Sequence, residues 1–181
     1  AQEYYAKLGF KVYLVPNAID INSLPKSEER LYKKQVIFAG RLSKEKGILD
    51  IREMSSKRPQ DIHLLILGSG PEENKVLEAT KLRSNIHFLG YTPRERTISL
   101  IRGSDMLIQP SLIEAISSTL LEAMACKTPI IATNVGGNKE LLENNISGVI
   151  IGPNSPQQIL DGIIDLFSNK EKATKLKEEA F

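Results

Sequence analysis

Short runs of apolar, β-branched residues recur along the chain. Glycine, proline or a polar loop follows each, and then a longer stretch with apolar residues at helical spacing. Val36–Ala39, Ile62–Leu67, Ile86–Leu89, Asp105–Gln109, Pro129–Ala132 and Val149–Ile151 read as strands. Between them Lys46–Lys57, Glu72–Leu82, Pro93–Arg102 and Asn138–Glu143 read as helices, as does a segment from Ser117 or Ser118 to about Cys126. Two more helices, Pro156–Phe167 and Lys170–Glu179, close the chain. Continuous apolar strands belong to sheets covered on both faces. Their alternation with helices predicts βαβ units, a parallel sheet and a Rossmann-like, doubly wound α/β domain.

The first part of the chain has a different pattern. Lys11–Val15 reads as a short strand ended by Pro16-Asn17, and Asp20–Lys34 as a polar, Lys/Glu-rich connecting segment. Residues 1–34 are therefore expected to be a connector with a first strand, and residues 35–181 a ligand-binding domain. The sequence opens on Ala1-Gln2-Glu3-Tyr4-Tyr5, without an initiator Met, as a piece of a longer protein would.

Ligands of open α/β sheets bind at the carboxyl ends of the strands. Five loops lie there. Gly40-Arg41-Leu42-Ser43-Lys44-Glu45-Lys46-Gly47 follows the first core strand. Gly40 allows close backbone approach, Arg41 can fork onto phosphate oxygens, and Lys46 can act on them as a point charge. Gly68-Ser69-Gly70 lacks the third glycine of a dinucleotide fingerprint, and is equally readable as a tight strand–helix turn. Gly90-Tyr91 and Gly136-Gly137 end two further strands.

The fifth loop carries the strongest signal. Glu114 sits in the entry to a helix and Glu122 about one turn inside it. On a single helix a spacing of eight would put them about 80° apart, sharing no face well, so a loop glutamate and a helix glutamate fit better. Between them a helix N-terminus offers free N–H donors. Such an end attracts phosphate, and carboxylates beside it can hold sugar or ribose hydroxyls. A solvated loop glutamate and a surface helix glutamate remain the alternative on spacing alone. Taken together, the loops describe an anionic ligand with hydroxyls, such as a nucleotide sugar. NAD fits worse, because no acidic residue ends the second strand to hold a ribose.

Composition narrows the alternatives. With 24 basic and 22 acidic residues the net charge is +2, too balanced for a nucleic-acid footprint. The hydrophobic content of 41% suits a globular chain. No apolar run reaches transmembrane length, and no signal-peptide pattern is present. The single cysteine, Cys126, excludes an internal disulfide and fits a reducing compartment, so the expected location is cytoplasmic, or peripheral at the cytoplasmic membrane face. His63 and His87 each stand near a strand start without a second ligand at metal spacing, so both read as structural and no metal site is expected.

The motifs resemble, in order, the C-terminal domain of retaining GT-B-fold glycosyltransferases of family four (glycosyl transferases group 1). The resemblance runs from Val15-Pro16-Asn17-Ala18-Ile19-Asp20 to about Pro153. It rests on the Gly-Arg-Leu…Lys-Gly loop at 40–47, Phe88-Leu89-Gly90-Tyr91, Pro110-Ser111, the paired glutamates, Leu121-Glu122-Ala123-Met124-Ala125 and Gly136-Gly137…Glu140. It implies that Arg41 and Lys46 bind a donor diphosphate, Glu122 the ribose hydroxyls and Glu114 the donor sugar. Backbone N–H groups from Ser118 to Leu120 would face the phosphates. Gly40 and Gly68 would border the donor, and Tyr91 the nucleobase. The implied donor is a UDP-, GDP- or ADP-sugar, with no separate cofactor. The implied acceptor is a sugar, a lipid-linked sugar or a polysaccharide, held with an N-terminal domain of the same protein. The isolated chain would then bind donor and transfer nothing. The family pattern departs at Ala115-Ile116-Ser117, where Gly-Phe-Gly is usual, at Ala18 and at Asn138-Lys139.

Three other functions remain open on the sequence. A glycoside hydrolase would need two carboxyls about 5–9.5 Å apart across one bond, and leaves Arg41 and Lys46 without a task. An epimerase-like GT-B enzyme would keep diphosphate recognition with other catalytic groups. A non-enzymatic or degenerate nucleotide-sugar-binding module would follow if the departure at residues 115–117 disables the site.

Overall fold

A computed structural model describes residues 2–13 and 17–181. The strands are β1 (Gln35–Ala39), β2 (His63–Leu67), β3 (Ile86–Gly90), β4 (Met106–Gln109), β5 (Ile130–Thr133) and β6 (Val149–Ile151). They form one sheet in the order β3-β2-β1-β4-β5-β6, with every pair parallel. The described helices are α1 (Gln2–Lys7), α2 (Ile48–Lys57), α3 (Glu73–Leu82), α4 (Arg94–Arg102), α5 (Ser118–Ala125), α6 (Asn138–Leu141), α7 (Pro156–Ser168) and α8 (Lys170–Glu179). The Rossmann-like doubly wound expectation holds. Each core strand starts and ends within one or two residues of its sequence reading.

Two readings near the start differ. Helix α1 was not evident from the sequence. The strand expected over Lys11–Val15 is absent from residues 11–13, and residues 14–16 lie outside the described residues.

The strands are buried on both faces, and their side chains sort by parity. Val36, Phe38, Leu64, Ile66, Met106 and Ile108 face a layer that includes Ile51 and Met54 of α2 and Ile159 and Ile163 of α7. Ile37, Leu65, Leu107 and Ile130 face a layer that includes Ile98 and Leu100 of α4 and Leu120 and Ala123 of α5. Alternation with a period of two sends neighbouring residues to opposite cores. Full burial of each Leu, Ile or Phe stabilises by about 1.5–3 kcal/mol.

The strand order reverses between β1 and β4. From β1 the chain winds outward through β2 and β3, then crosses back to β4. The helices after β1 and β4 therefore leave on opposite faces, and a crevice opens between the two loops. This is where open α/β sheets bind ligands.

Candidate functional site

The crevice is built by the loop after β1, residues 40–47, and the loop after β4, residues 110–117. Their backbones are tied together, with the N–H groups of Leu112 and Ile113 donating to the Glu45 carbonyl at 2.7 and 3.4 Å. Close contact depends on Gly47. Its φ is +72°, and a Cβ there would stand 1.9 Å from the Pro110 carbonyl oxygen. Gly47 also divides the helix expected over Lys46–Lys57. The Lys44–Lys46 segment is a 3-10 turn, and α2 begins at Ile48.

This junction brings Lys46 to Glu114. The Lys46 Nζ lies 2.6 Å from Glu114 Oε2. Ser111 Oγ donates to the same oxygen at 3.1 Å and Gln109 Nε2 at 3.4 Å. The Thr133 hydroxyl, at the end of β5, donates to the Ser111 carbonyl at 2.5 Å. Behind Glu114, a Cβ on Gly136 would fall 1.5 Å from the Glu114 carbonyl oxygen, while the Gly137 N–H donates to Ala115 O at 2.6 Å. Glu114 Oε2 is thus anchored three times. Its Oε1 accepts no hydrogen bond among the described residues.

Glu122 repeats the arrangement on α5. Its Oε1 accepts from Arg94 Nε at 2.9 Å, and its side chain is 11% exposed against 60% for the arginine. Oε2 has no partner among the described residues. Arg94, Glu122 and Ser118 line a groove of about 280 Å³ with Asn17 and Ala18 of the connector. A second groove, about 410 Å³, is lined by Gly40, Arg41, Gly68, Ser69, Gly70 and Tyr91. Tyr91 is 80% exposed. A larger groove, about 870 Å³ between α2 and α3, contains none of the residues singled out from the sequence.

The helix end between the glutamates corrects one expectation. Ser117 caps α5, and its Oγ accepts the Leu120 N–H at 3.3 Å. That donor is therefore spent inside the protein, as an N-cap spends it. The N–H groups of Ser118 and Thr119 make no hydrogen bond among the described residues, so two of the three expected donors face outward. Lys46, read with Arg41 as a cation for phosphate, makes its ion pair here with Glu114.

Arg94, Gln109 and Ser111 were not singled out individually from the sequence. Pro110-Ser111 entered only as a motif, and Gln109 only as the last residue of a strand. A glutamine ending an otherwise apolar strand was the available signal for Gln109. Arg94 had none beyond its place in the first turn of a helix.

The histidines, read separately along the chain, meet on β2 and β3. His63 Nδ1 and His87 Nε2 are 2.9 Å apart, and Tyr32 stacks on both rings. Burial first, then the neighbouring His63 and Arg58, hold His87 below the usual imidazole range. Among the described residues no three His, Cys, Asp or Glu side chains group to hold a metal ion.

The model of the family described as glycosyl transferases group 1 matches residues 20–181. The chain belongs to this family. It is 33% identical over 144 residues to an uncharacterized glycosyltransferase of Methanocaldococcus jannaschii, covering 76% of this chain and 37% of that protein. It is 29% identical to a D-inositol 3-phosphate glycosyltransferase of Corynebacterium urealyticum, covering 83% of this chain and 38% of the relative. The chain thus spans well under half the length of these relatives. Among solved structures, the C-terminal domain of a glycosyl transferase group 1 family protein from Francisella tularensis superposes with a TM-score of 0.77 at 25% identity. That match covers 90% of this chain and 94% of the other. Anabaena HepE, solved with UDP-glucose, superposes with a TM-score of 0.75 at 19% identity, covering 99% of this chain and 46% of that one. The fold is therefore that of the C-terminal half of a GT-B glycosyltransferase. No described helix is long and apolar enough to cross a membrane.

Proposed function

We propose that this chain is the donor-binding half of a retaining glycosyltransferase that moves a hexosyl group from a nucleotide-diphosphate sugar to an acceptor hydroxyl. One observation carries the reading. Two carboxylates flank the α5 N-terminus at the switch point, and each has one oxygen anchored by a cation and one without a partner among the described residues. Open carboxylate oxygens accept hydroxyl protons, and the helix end between them suits phosphate.

Glu122 Oε2 accepts the ribose hydroxyls, and Glu114 Oε1 a hydroxyl of the donor sugar. Arg41, Lys46 and the N–H groups of Ser118 and Thr119 face the diphosphate. Tyr91 borders the nucleobase, with Gly40 and Gly68 letting the backbone come close. As the sugar–phosphate bond breaks, negative charge grows on the leaving diphosphate. The two cations and the helix end stabilise it, an electrostatic contribution of the oxyanion-hole kind. A leaving phosphate oxygen then takes the acceptor's proton, with attack on the face the diphosphate vacates. The solved HepE complexes with UDP and with UDP-glucose support a nucleotide-sugar donor.

Acceptor binding falls to an N-terminal domain of the same protein, because the chain spans less than half of its relatives. Residues 1–34 then act as the connector to it, and the enzyme works in the cytoplasm or at the cytoplasmic membrane face. The test is titration calorimetry of this chain with UDP, GDP and ADP. Binding of at least one, with no sugar transfer by the chain alone, is expected. No binding of any of the three at millimolar concentration refutes the reading.

A further inference from the structure

Strand β4 runs Met106-Leu107-Ile108 and then ends on Gln109, which is 1% exposed. A primary amide in such a place is costly unless its hydrogen bonds are made. Only half of them are. Nε2 donates to Ser111 Oγ at 3.1 Å and to Glu114 Oε2 at 3.4 Å, while Oε1 is buried without a partner. An apolar side chain of similar volume would fill the position and leave no orphaned oxygen, and the two acceptors it gives up, Ser111 Oγ and Glu114 Oε2, each keep another hydrogen-bond partner, so the net cost to stability is small. Stability therefore does not account for the glutamine. The opposite amide orientation would set Oε1 against the Glu114 carboxylate, so the neighbours fix which end of the amide faces it.

Resting on the donor-binding reading above, we propose that Gln109 is a positioning residue that makes Glu114 selective for the hydroxyls of the donor sugar. With Ser111 it holds Oε2 against Lys46. That oxygen then carries three donors, and Oε1 is left with its acceptor capacity free. A carboxylate held only by a lysine on a flexible stem could rotate and offer either oxygen. One pinned by Ser111 and Gln109 from the sheet side offers one. The ligand class this selects is a nucleotide hexose with a hydroxyl that donates at that point. A nucleoside diphosphate without a sugar never meets Oε1.

The measurement is the affinity gained from the sugar. Calorimetry on the wild-type chain, Gln109→Met and Ser111→Ala would use UDP, GDP and ADP and the glucose conjugate of whichever binds, with thermal unfolding of all three proteins. Gln109→Met should bind the diphosphate like wild type and the conjugate about tenfold more weakly, the worth of a hydrogen bond to a charged group. Its melting temperature should change little. Ser111→Ala should show the same split, and gives the readout if Gln109→Met does not fold. Diphosphate and conjugate weakened equally, or neither weakened, overturns the proposal. So does a wild-type chain that gains nothing from the sugar, although diphosphate binding then stands. A wild-type chain that binds neither ligand fails one step earlier, at the donor-binding reading.

Discussion

Replacing Lys46 should cost more than replacing Glu114, although the two share one ion pair. Nζ and Oε2 are 2.6 Å apart, but the lysine side chain is 27% exposed and the glutamate side chain 8%. Exposed pairs contribute about 0.2–1 kcal/mol, whereas removing one partner of a buried pair costs about 3–5. This pair is exposed at one end only. Lys46→Met strands a carboxylate that cannot reach water fully and keeps only Ser111 and Gln109, a loss of about 2 kcal/mol. Glu114→Gln leaves an ammonium on a flexible stem that turns outward, so the loss stays under about 1 kcal/mol. With an unfolding entropy near 2.1 cal/mol/K per residue, these correspond to falls in Tm of about 5 °C and under about 3 °C for a chain of 181 residues. The double variant should be more stable than the sum of the singles implies, by about 1 kcal/mol. Thermal and urea unfolding of the three variants supplies the numbers. Equal losses for the two single variants, or additivity within about 0.5 kcal/mol, would refute the reasoning. Ligand affinity gives an independent sign. Lys46→Met should weaken nucleoside diphosphate about tenfold or more, and Glu114→Gln should leave it unchanged or tighter, because the lysine is released.

Arg94→Met should change Tm little, since the arginine side chain is 60% exposed, yet it frees Glu122 to rotate. Nucleoside diphosphate affinity should fall severalfold while inorganic pyrophosphate affinity holds; equal loss of both in calorimetry would detach Glu122 from the ribose. A separate effect of pH follows from the pair on β2 and β3. Burial, His63 and Arg58 hold the His87 ring below its ordinary 6.5, and Tyr32 covers it. As pH falls through that value the unfolded chain takes up a proton that the native ring refuses, so stability drops toward acid and is retained above it. The slope should stay well below the ~1.4 kcal/mol per pH unit of one whole proton, because the ring is partly in water. Urea midpoints at pH 7.5 and 5.5 measure it, and the difference should shrink in His87→Gln. An unchanged difference would assign the acid sensitivity to other groups.

The strands were legible because each is a continuous apolar run buried on both faces, and the two-residue alternation into separate cores leaves few other registers. The closing helix Lys170–Glu179 was legible for the opposite reason, since its polar sequence buries little beyond Leu176 and stops where periodicity stops. What escaped depends on distant parts of the chain. Gly47 divides its helix because the backbone presses on Pro110, far along the sequence, and nothing in the local pattern of 46–57 announces that contact. Arg94 reaches Glu122 because α4 and α5 pack on the same face of the sheet, and Lys46 reaches Glu114 because the strand order reverses between the neighbouring parallel strands β1 and β4, which sets their loops side by side. A sequence can show that two glutamates flank a helix end. It cannot show which of their oxygens are already occupied.

That occupancy bears on the departure at Ala115-Ile116-Ser117. Where the family pattern ends this run in glycine, Ser117 caps α5 and consumes the Leu120 N–H. The gain in helix stability over glycine is only a few tenths of a kcal/mol, so the cap is a weak stabiliser. Its larger effect is on the ligand side, where the helix offers two backbone donors instead of three. Gly136 and Gly137 pass directly behind Glu114, Ala115 and Ile116, and the Gly137 N–H donates to Ala115 O. At this departure the Gly136-Gly137 turn holds the backbone, and Ser117 lowers the number of free donors between the glutamates. On the donor-binding reading, one donor fewer leaves more of the charge on a bound diphosphate to Arg41 and Lys46. On that reading Lys46 can meet the demand only by sharing itself with Glu114, whose Oε2 Ser111 and Gln109 keep held from the sheet side.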